Sequence, residues 1–209
     1  MLTILFLHGF ASSGACGTAE LLGKTFPSAR VVAPDIPLDP EEALPFLLDL
    51  CATERPDIII GTSMGGMYAQ QMRGFLRICV NPSFNISTMS RVLRTGTHRW
   101  LNGRKNHEKE FRVTRDTIQH FNQMERRQFD DIAPEEQELC HALFGTRDEL
   151  SRTGYAAFTR HYTHAYRFDG DHALNERALH TAVMPLMARL LGARYDEARR
   201  EPLPDYLRY

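Results

Sequence analysis

Six short apolar runs, at Leu2 to Leu7, Arg30 to Ala33, Asp57 to Ile60, Leu76 to Val80, Leu139 to Phe144 and Ala165 to Phe168, are unbroken and do not alternate with polar residues. A strand with one face in water alternates with a period of two, so an unbroken run marks a strand covered on both faces. Between the runs lie stretches of helical spacing, roughly Gly17 to Phe26, Pro40 to Thr53, Met64 to Gly74, Ser151 to His161 and Leu174 to Leu191. Asp39 ahead of Pro40 is a helix start, because the carboxylate accepts from a free N–H and proline has none to satisfy. This β/α alternation predicts one α/β domain over residues 1–209, a mostly parallel sheet of about six strands with helices on both faces. In the last helical stretch Leu179, Val183, Leu186, Met187, Leu190 and Leu191 have core spacing, and Pro185 is expected to kink or divide it. From Ala193 onward, through Pro202, Pro204 and Tyr206, the chain reads as an irregular extension.

One segment breaks the alternation. Residues 83–134 separate two strands by about fifty residues, far more than a connection within such a sheet requires. They contain the turn dipeptide Asn102-Gly103 and a helical stretch from Asp116 to Phe129 with Ile118, Phe121 and Met124 on one side. The segment is read as a lid or cap. Its ten basic and seven acidic side chains between Thr88 and Glu135 are read as a solvated surface, the alternative being that they steer an anionic substrate. Trp100, Phe111 and Phe121 either line a pocket or meet a partner subunit.

Composition narrows the functions open to this fold. With 209 residues, 43% of them hydrophobic, the chain can bury a full core without disulfides or a structural metal. Its 25 basic and 26 acidic residues leave a net charge of −1, with no basic excess to bind nucleic acid or an anionic membrane. Cys16, Cys51, Cys79 and Cys140 form no C-x-x-C pair and are expected to be reduced and buried. The first residues, Met1-Leu2-Thr3-Ile4, have no basic leader, and no 18-residue apolar run occurs, so the reading is a cytoplasmic protein without a membrane span.

The chemistry concentrates in Gly61-Thr62-Ser63-Met64-Gly65-Gly66, which follows the apolar run Asp57 to Ile60 and opens a helix. A G-x-S-x-G sequence between strand and helix is a nucleophile elbow: the serine sits on a tight turn, and Gly61 and Gly65 keep the turn from clashing. A serine hydroxyl attacks only if a base removes its proton, and the base must be oriented by a third group. Of nine histidines, His172 is best placed, since Gly170-Asp171-His172 follows the last strand at its carboxyl end. For the acid, Asp148 in Gly145-Thr146-Arg147-Asp148 follows the preceding strand and reaches the same edge; Glu149 and Asp169 are the alternatives. His141 lies inside a strand and is expected to pack. His98, His107 and His120 are read as surface residues, and His161 and His164, without an acidic partner motif, as no metal site.

The order Ser63, Asp148, His172 is that of α/β-hydrolases. With Leu7-His8-Gly9-Phe10-Ala11-Ser12-Ser13 at the start, the elbow in the middle, Asn81-Pro82 after the fourth strand, and the Gly145 to Asp148 and Gly170 to His172 loops, the chain resembles small bacterial esterases of the YqiA type. The long 83–134 insert is a departure from their pattern. The resemblance implies a three-layer α/β-hydrolase fold and a serine esterase acting on a small-molecule carboxylic ester with a small acyl group, with no cofactor and no metal. It also implies an oxyanion hole formed by the backbone N–H groups of Met64 and Phe10. His8 and Asp35 are read as structural, Asp35 by turn formation. Two alternatives stand beside this reading: a thioesterase or other acyl hydrolase with the same triad, and a catalytically idle hydrolase fold used for binding.

Overall fold

A computed structural model describes residues 1–89, 93–149 and 151–200. The chain alternates from the start through β1 (Thr3–Leu7), α1 (Gly17–Thr25), β2 (Arg30–Val32), α2 (Pro40–Glu54), β3 (Ile58–Thr62), α3 (Met64–Gln71) and β4 (Arg77–Val80). The insert follows with β5 (Gly96–Arg99), β6 (Glu110–Val113) and α4 (Arg115–Arg127). Alternation then resumes with β7 (Cys140–Gly145), α5 (Ser151–Phe158) and β8 (His164–Phe168), and the helices α6 (Glu176–Ala178), α7 (Met184–Leu191) and α8 (Ala193–Arg199) close the described chain.

Six strands form one sheet in the order β2-β1-β3-β4-β7-β8, and every neighbouring pair is parallel. All six carboxyl ends therefore lie along one edge. Successive residues of a strand point to opposite faces, so each unbroken apolar run feeds two cores at once. Leu5, Leu7 and Ile59 meet Leu47 of α2, Met67 of α3, Phe121 of α4 and Phe158 of α5. Ile4, Phe6, Ile58 and Ile60 meet Leu22 of α1 and Leu179, Val183 and Met187 near the carboxyl end. The result is the expected three layers, and all four cysteines are free and buried within them.

The insert divides by position. Helix α4 starts at a capping box, in which Thr114 accepts from the Thr117 N–H, and buries Phe121 and Met124 in the core beside α2. Phe111 and Phe121 thus meet this chain's own core. β5 and β6 form a separate antiparallel hairpin, with His98 opposite Phe111. The hairpin had a sequence signal in Glu110-Phe111-Arg112-Val113, which alternates exposed and buried; the dipeptide Asn102-Gly103 lies in its long connecting loop.

Two expectations at the carboxyl end need correction. Of the kink or division expected at Pro185, the division does not occur: residues Leu179–Val183 widen into a π turn that leads directly into α7, with Pro185 in its first turn. A wider turn gives the ring room and absorbs the missing N–H. The stretch from Ala193 is not irregular either. It forms α8, whose Tyr195 ring stands edge-on to Phe26 at 5.6 Å and whose Ala198 carbonyl accepts from the Ser28 N–H. Gly192, at φ 54°, makes the turn between the two helices. Pro202, Pro204 and Tyr206 lie outside the described residues. Among the described residues no helix is long and apolar enough to cross a membrane.

Candidate active site

The elbow forms where β3 delivers the chain into α3. Ser63 has φ 54° and ψ −118°, a strained conformation for a residue with a side chain, which costs about 1–3 kcal/mol and must be held by its surroundings. They hold it closely. A Cβ on Gly61 would stand 2.1 Å from the Gly65 carbonyl oxygen, and one on Gly65 would stand 2.0 Å from that of Leu7. Only glycine fits at either position. The Ser63 N–H donates to the Val80 carbonyl, extending the β3–β4 ladder up to the turn itself.

The loops after β7 and β8 bring two distant residues to this serine. Ser63 Oγ lies 3.0 Å from His172 Nε2, and His172 Nδ1 lies 2.8 Å from Asp148 Oδ2. An ionised Asp148 can only accept, so its neighbour Nδ1 carries the proton and Nε2 is left to accept from the serine hydroxyl. The carboxylate is buried, whereas the imidazole is 38% exposed and open to a substrate. The alternative acids are otherwise placed: Asp169 pairs with Arg147 and Arg177, and Glu149 is exposed.

Two residues here had little signal in the sequence. Asn81, at φ 45°, accepts from the Gly145 N–H at 2.7 Å and donates to the carbonyls of Asp171 and His172 at 2.8 and 3.2 Å. One amide thus ties the ends of β4 and β7 to the histidine loop. Ser83, at the start of the insert, places its Oγ 3.3 Å from that of Ser63. Because Asn81 holds the loop and not the reacting atoms, Asn81→Ala is expected to lower kcat about 10- to 100-fold with KM nearly unchanged in steady-state assays, the cost of an ångström-scale misplacement. Equal losses in KM would contradict a positioning role.

The loop after β1 faces the serine from the other side. A Cβ on Gly9 would stand 3.5 Å from Ser63 Cβ, so the backbone of Gly9 and Phe10 passes close to it. Met64 is the first residue of α3, and its N–H has no acceptor within the helix. The hairpin braces this loop: the Leu101 N–H donates to Ala11 at 2.7 Å, Ser12 donates to Asn102 at 2.9 Å, and Phe10 meets Phe111 edge-on at 5.7 Å. Asp35 does more than form a turn. It accepts from the Gly14 N–H and, across to the insert, from that of Lys105. A cavity of about 600 Å3 opens over Ser63, lined by Phe10, Ser83, Ile86, Met89, Leu101 and Leu174 among others, and among the described residues His172 is its one ionisable side chain.

His8 anchors the same loop from below. Its Nε2 accepts from the Ile36 N–H at 3.1 Å, so Nδ1 carries the proton, which is donated to the Gly9 carbonyl. Burial holds its pKa down to about 4, and burial with the neighbouring His164 does the same for His141. A histidine with a lowered folded pKa contributes stability that is complete above its unfolded value of 6.5 and is lost as the pH falls toward 4. Moving from pH 7 to pH 5 should therefore cost about 2 kcal/mol for each of the two, read as a lower urea midpoint. A stability flat over that range would refute the assignment.

The comparisons with known proteins agree with this architecture. Residues 3–186 match the model of the uncharacterised protein family UPF0227. The chain belongs to this family. That is the YqiA-like family to which its motifs pointed. No curated protein matches the sequence. Among solved structures, Est1E from Butyrivibrio proteoclasticus superposes with a TM-score of 0.62 at 13% identity, over 91% of this chain and 88% of that one. An esterase domain from Rhodothermus marinus gives 0.61 at 17%, over 90% and 86%. A carboxylesterase structure from Nitrososphaera gargenis gives 0.53 at 14%, over 91% of each. At these identities the likeness establishes the fold, the three-layer α/β-hydrolase fold.

Proposed function

We propose that this UPF0227 chain is a serine esterase that cleaves a carboxylic ester with a small acyl group through an acyl-enzyme. The observation that carries the reading is the continuous line from Asp148 through His172 to Ser63, at 2.8 and 3.0 Å. In the first half-reaction Ser63 Oγ bonds to the ester carbonyl carbon while its proton passes to His172 Nε2. The oxyanion accepts from the Met64 and Phe10 N–H groups, the first of them at the positive end of a helix. Collapse breaks the bond to the alcohol, which leaves with the proton from His172. A water then repeats the attack on the acyl-enzyme with His172 as base, and the acid departs as the proton returns to Ser63. Asp148 holds the imidazole in the tautomer this needs and stabilises the imidazolium. The esterases that share the fold support the same reaction class.

Apart from His172, the described residues that line the cavity carry no charge and are apolar at Phe10, Ile86, Met89, Leu101 and Leu174, which favours an apolar acyl group at the reacting end. Ile86, Met89 and Leu101 come from the insert, which on this reading caps the cleft.

The test is intact-mass analysis after treatment with a fluorophosphonate. One adduct on the native chain and none on Ser63→Ala is expected. No adduct on a folded native chain would favour an idle fold used for binding. Faster turnover of acyl thioesters than of matched oxygen esters would move the substrate class to thioesters.

A further inference from the structure

We propose that the hollow inside the β5–β6 loop is an anion subsite centred on Arg104, which takes a carboxylate or phosphate that the substrate carries away from its ester. The inference rests on the esterase reading above and deepens it by naming a substrate class.

The hollow measures about 890 Å3 and is formed by residues 99–104 and 107–110. Arg104 is only 9% exposed. Its Nη2 donates to the Ile36 carbonyl at 3.1 Å, but its Nε and Nη1 have no hydrogen-bond partner among the described residues, and neither has Trp100 Nε1 beside it. Buried donors are ordinarily satisfied, and a buried guanidinium ordinarily meets a carboxylate or phosphate. No carboxylate of the described residues plays that part. Asp35 spends its oxygens on the Gly14 and Lys105 N–H groups, and neither it nor Glu108 forms an ion pair with Arg104. Glu110 turns to Arg99 at 3.5 Å. Burial pushes the Arg104 pKa down, against the opposing pull of Asp35 and Glu108.

The guanidinium is also held in place. It lies 4.0 Å over the Trp100 ring, Trp100 lies 4.2 Å from Phe111, and Phe111 meets Phe10. A planar donor fixed on an aromatic ladder loses little freedom when it binds an oxyanion. Lys109 and Glu108 line the same hollow with opposite charges, as do the paired Arg99 and Glu110, which leaves Arg104 as its excess charge.

Two features connect the hollow to the reacting serine. Leu101 is 75% exposed and lines both this hollow and the cavity over Ser63. Asn102, on the wall of the hollow, is hydrogen-bonded to Ser12 on the wall of that cavity. A substrate lying across Leu101 would put its uncharged ester at Ser63, where the lining is neutral, and its acidic group at Arg104. This division recognises a monoester of a diacid, or a phosphorylated ester, over a wholly neutral ester.

The test compares nitrophenyl monoesters of dicarboxylic acids of rising length with their methyl-capped neutral counterparts, and a second series with the carboxylate or a phosphate on the alcohol side. For the native chain, kcat/KM is expected to favour the anionic member by about tenfold or more at one chain length, a preference on the scale of one charge-assisted contact. Arg104→Gln should bring that ratio close to one. No preference in the native chain, or a variant that slows both esters while keeping the ratio, overturns the proposal. Should Arg104→Gln fail to fold, the native chain decides: 10 mM succinate or inorganic phosphate must raise Tm over sodium chloride of equal ionic strength, and Lys109→Ala must weaken the rise. No rise overturns the proposal. This binding readout needs no turnover, so a chain that shows the rise but no fluorophosphonate adduct would keep the subsite and lose the esterase reading.

Discussion

Ser63→Ala is expected to lower turnover of a chromogenic ester by about 10^4-fold or more while leaving the circular dichroism spectrum and the urea midpoint close to native. On the proposed mechanism the hydroxyl is the one group that forms the covalent bond, and its truncation leaves neither a buried charge nor a large hole. His172→Ala should cost about as much, and the double variant scarcely more, because a nucleophile and its base act as a unit. Asp148→Asn should cost up to about 10^4-fold, since an amide at 2.8 Å from Nδ1 can hold the wrong tautomer. An active Ser63→Ala chain would end the mechanism. Full activity in Asp148→Asn with loss in Asp169→Asn would move the acid to Asp169.

The largest effect on stability is expected at Glu136→Ala, about 3–5 kcal/mol, measured as a shift in the urea midpoint or a Tm lower by roughly 10 °C. Arg77, on β4, is fully buried, and its Nη2 forms an ion pair with Glu136 at 2.5 Å. Glu136 also accepts from the Gly74 N–H at 2.7 Å, while Arg77 Nη1 donates to the Met72 carbonyl. Removing the carboxylate leaves a guanidinium in the core facing Cys140, with its desolvation uncompensated. Replacing both partners, as Arg77→Met with Glu136→Leu, should recover most of the loss, because the attraction between buried charges little exceeds the cost of burying them. A double variant as unstable as the single one would show that the pair contributes more than it costs.

What could be read early and what could not follows from the range of the forces involved. The unbroken run Asp57 to Ile60 is local, and so is the strain that demands Gly61 and Gly65 around Ser63; both are written in consecutive residues. The hairpin was harder to see because four alternating residues, Glu110 to Val113, are a weak signal beside the long loop that separates them from Gly96 to Arg99. The π turn at Leu179–Val183 was hidden for a different reason. Pro185 announces a disturbance, but whether a helix breaks or widens depends on the core that Leu179 and Val183 must still reach.

Consecutive residues by themselves determined the α/β class, the strand at whose end the candidate nucleophile sits, and the loops that carry His172 and Asp148, because periodicity and turn strain act over a few residues. Only the tertiary structure decided that parallel pairing brings six strand ends to one edge, that Asp148 and not Asp169 faces His172, and that Asn81 and the hairpin brace the loops around them. Those are contacts between residues 24 to 109 positions apart. Their partners are chosen by what the folded core leaves within reach, and no local pattern encodes that choice.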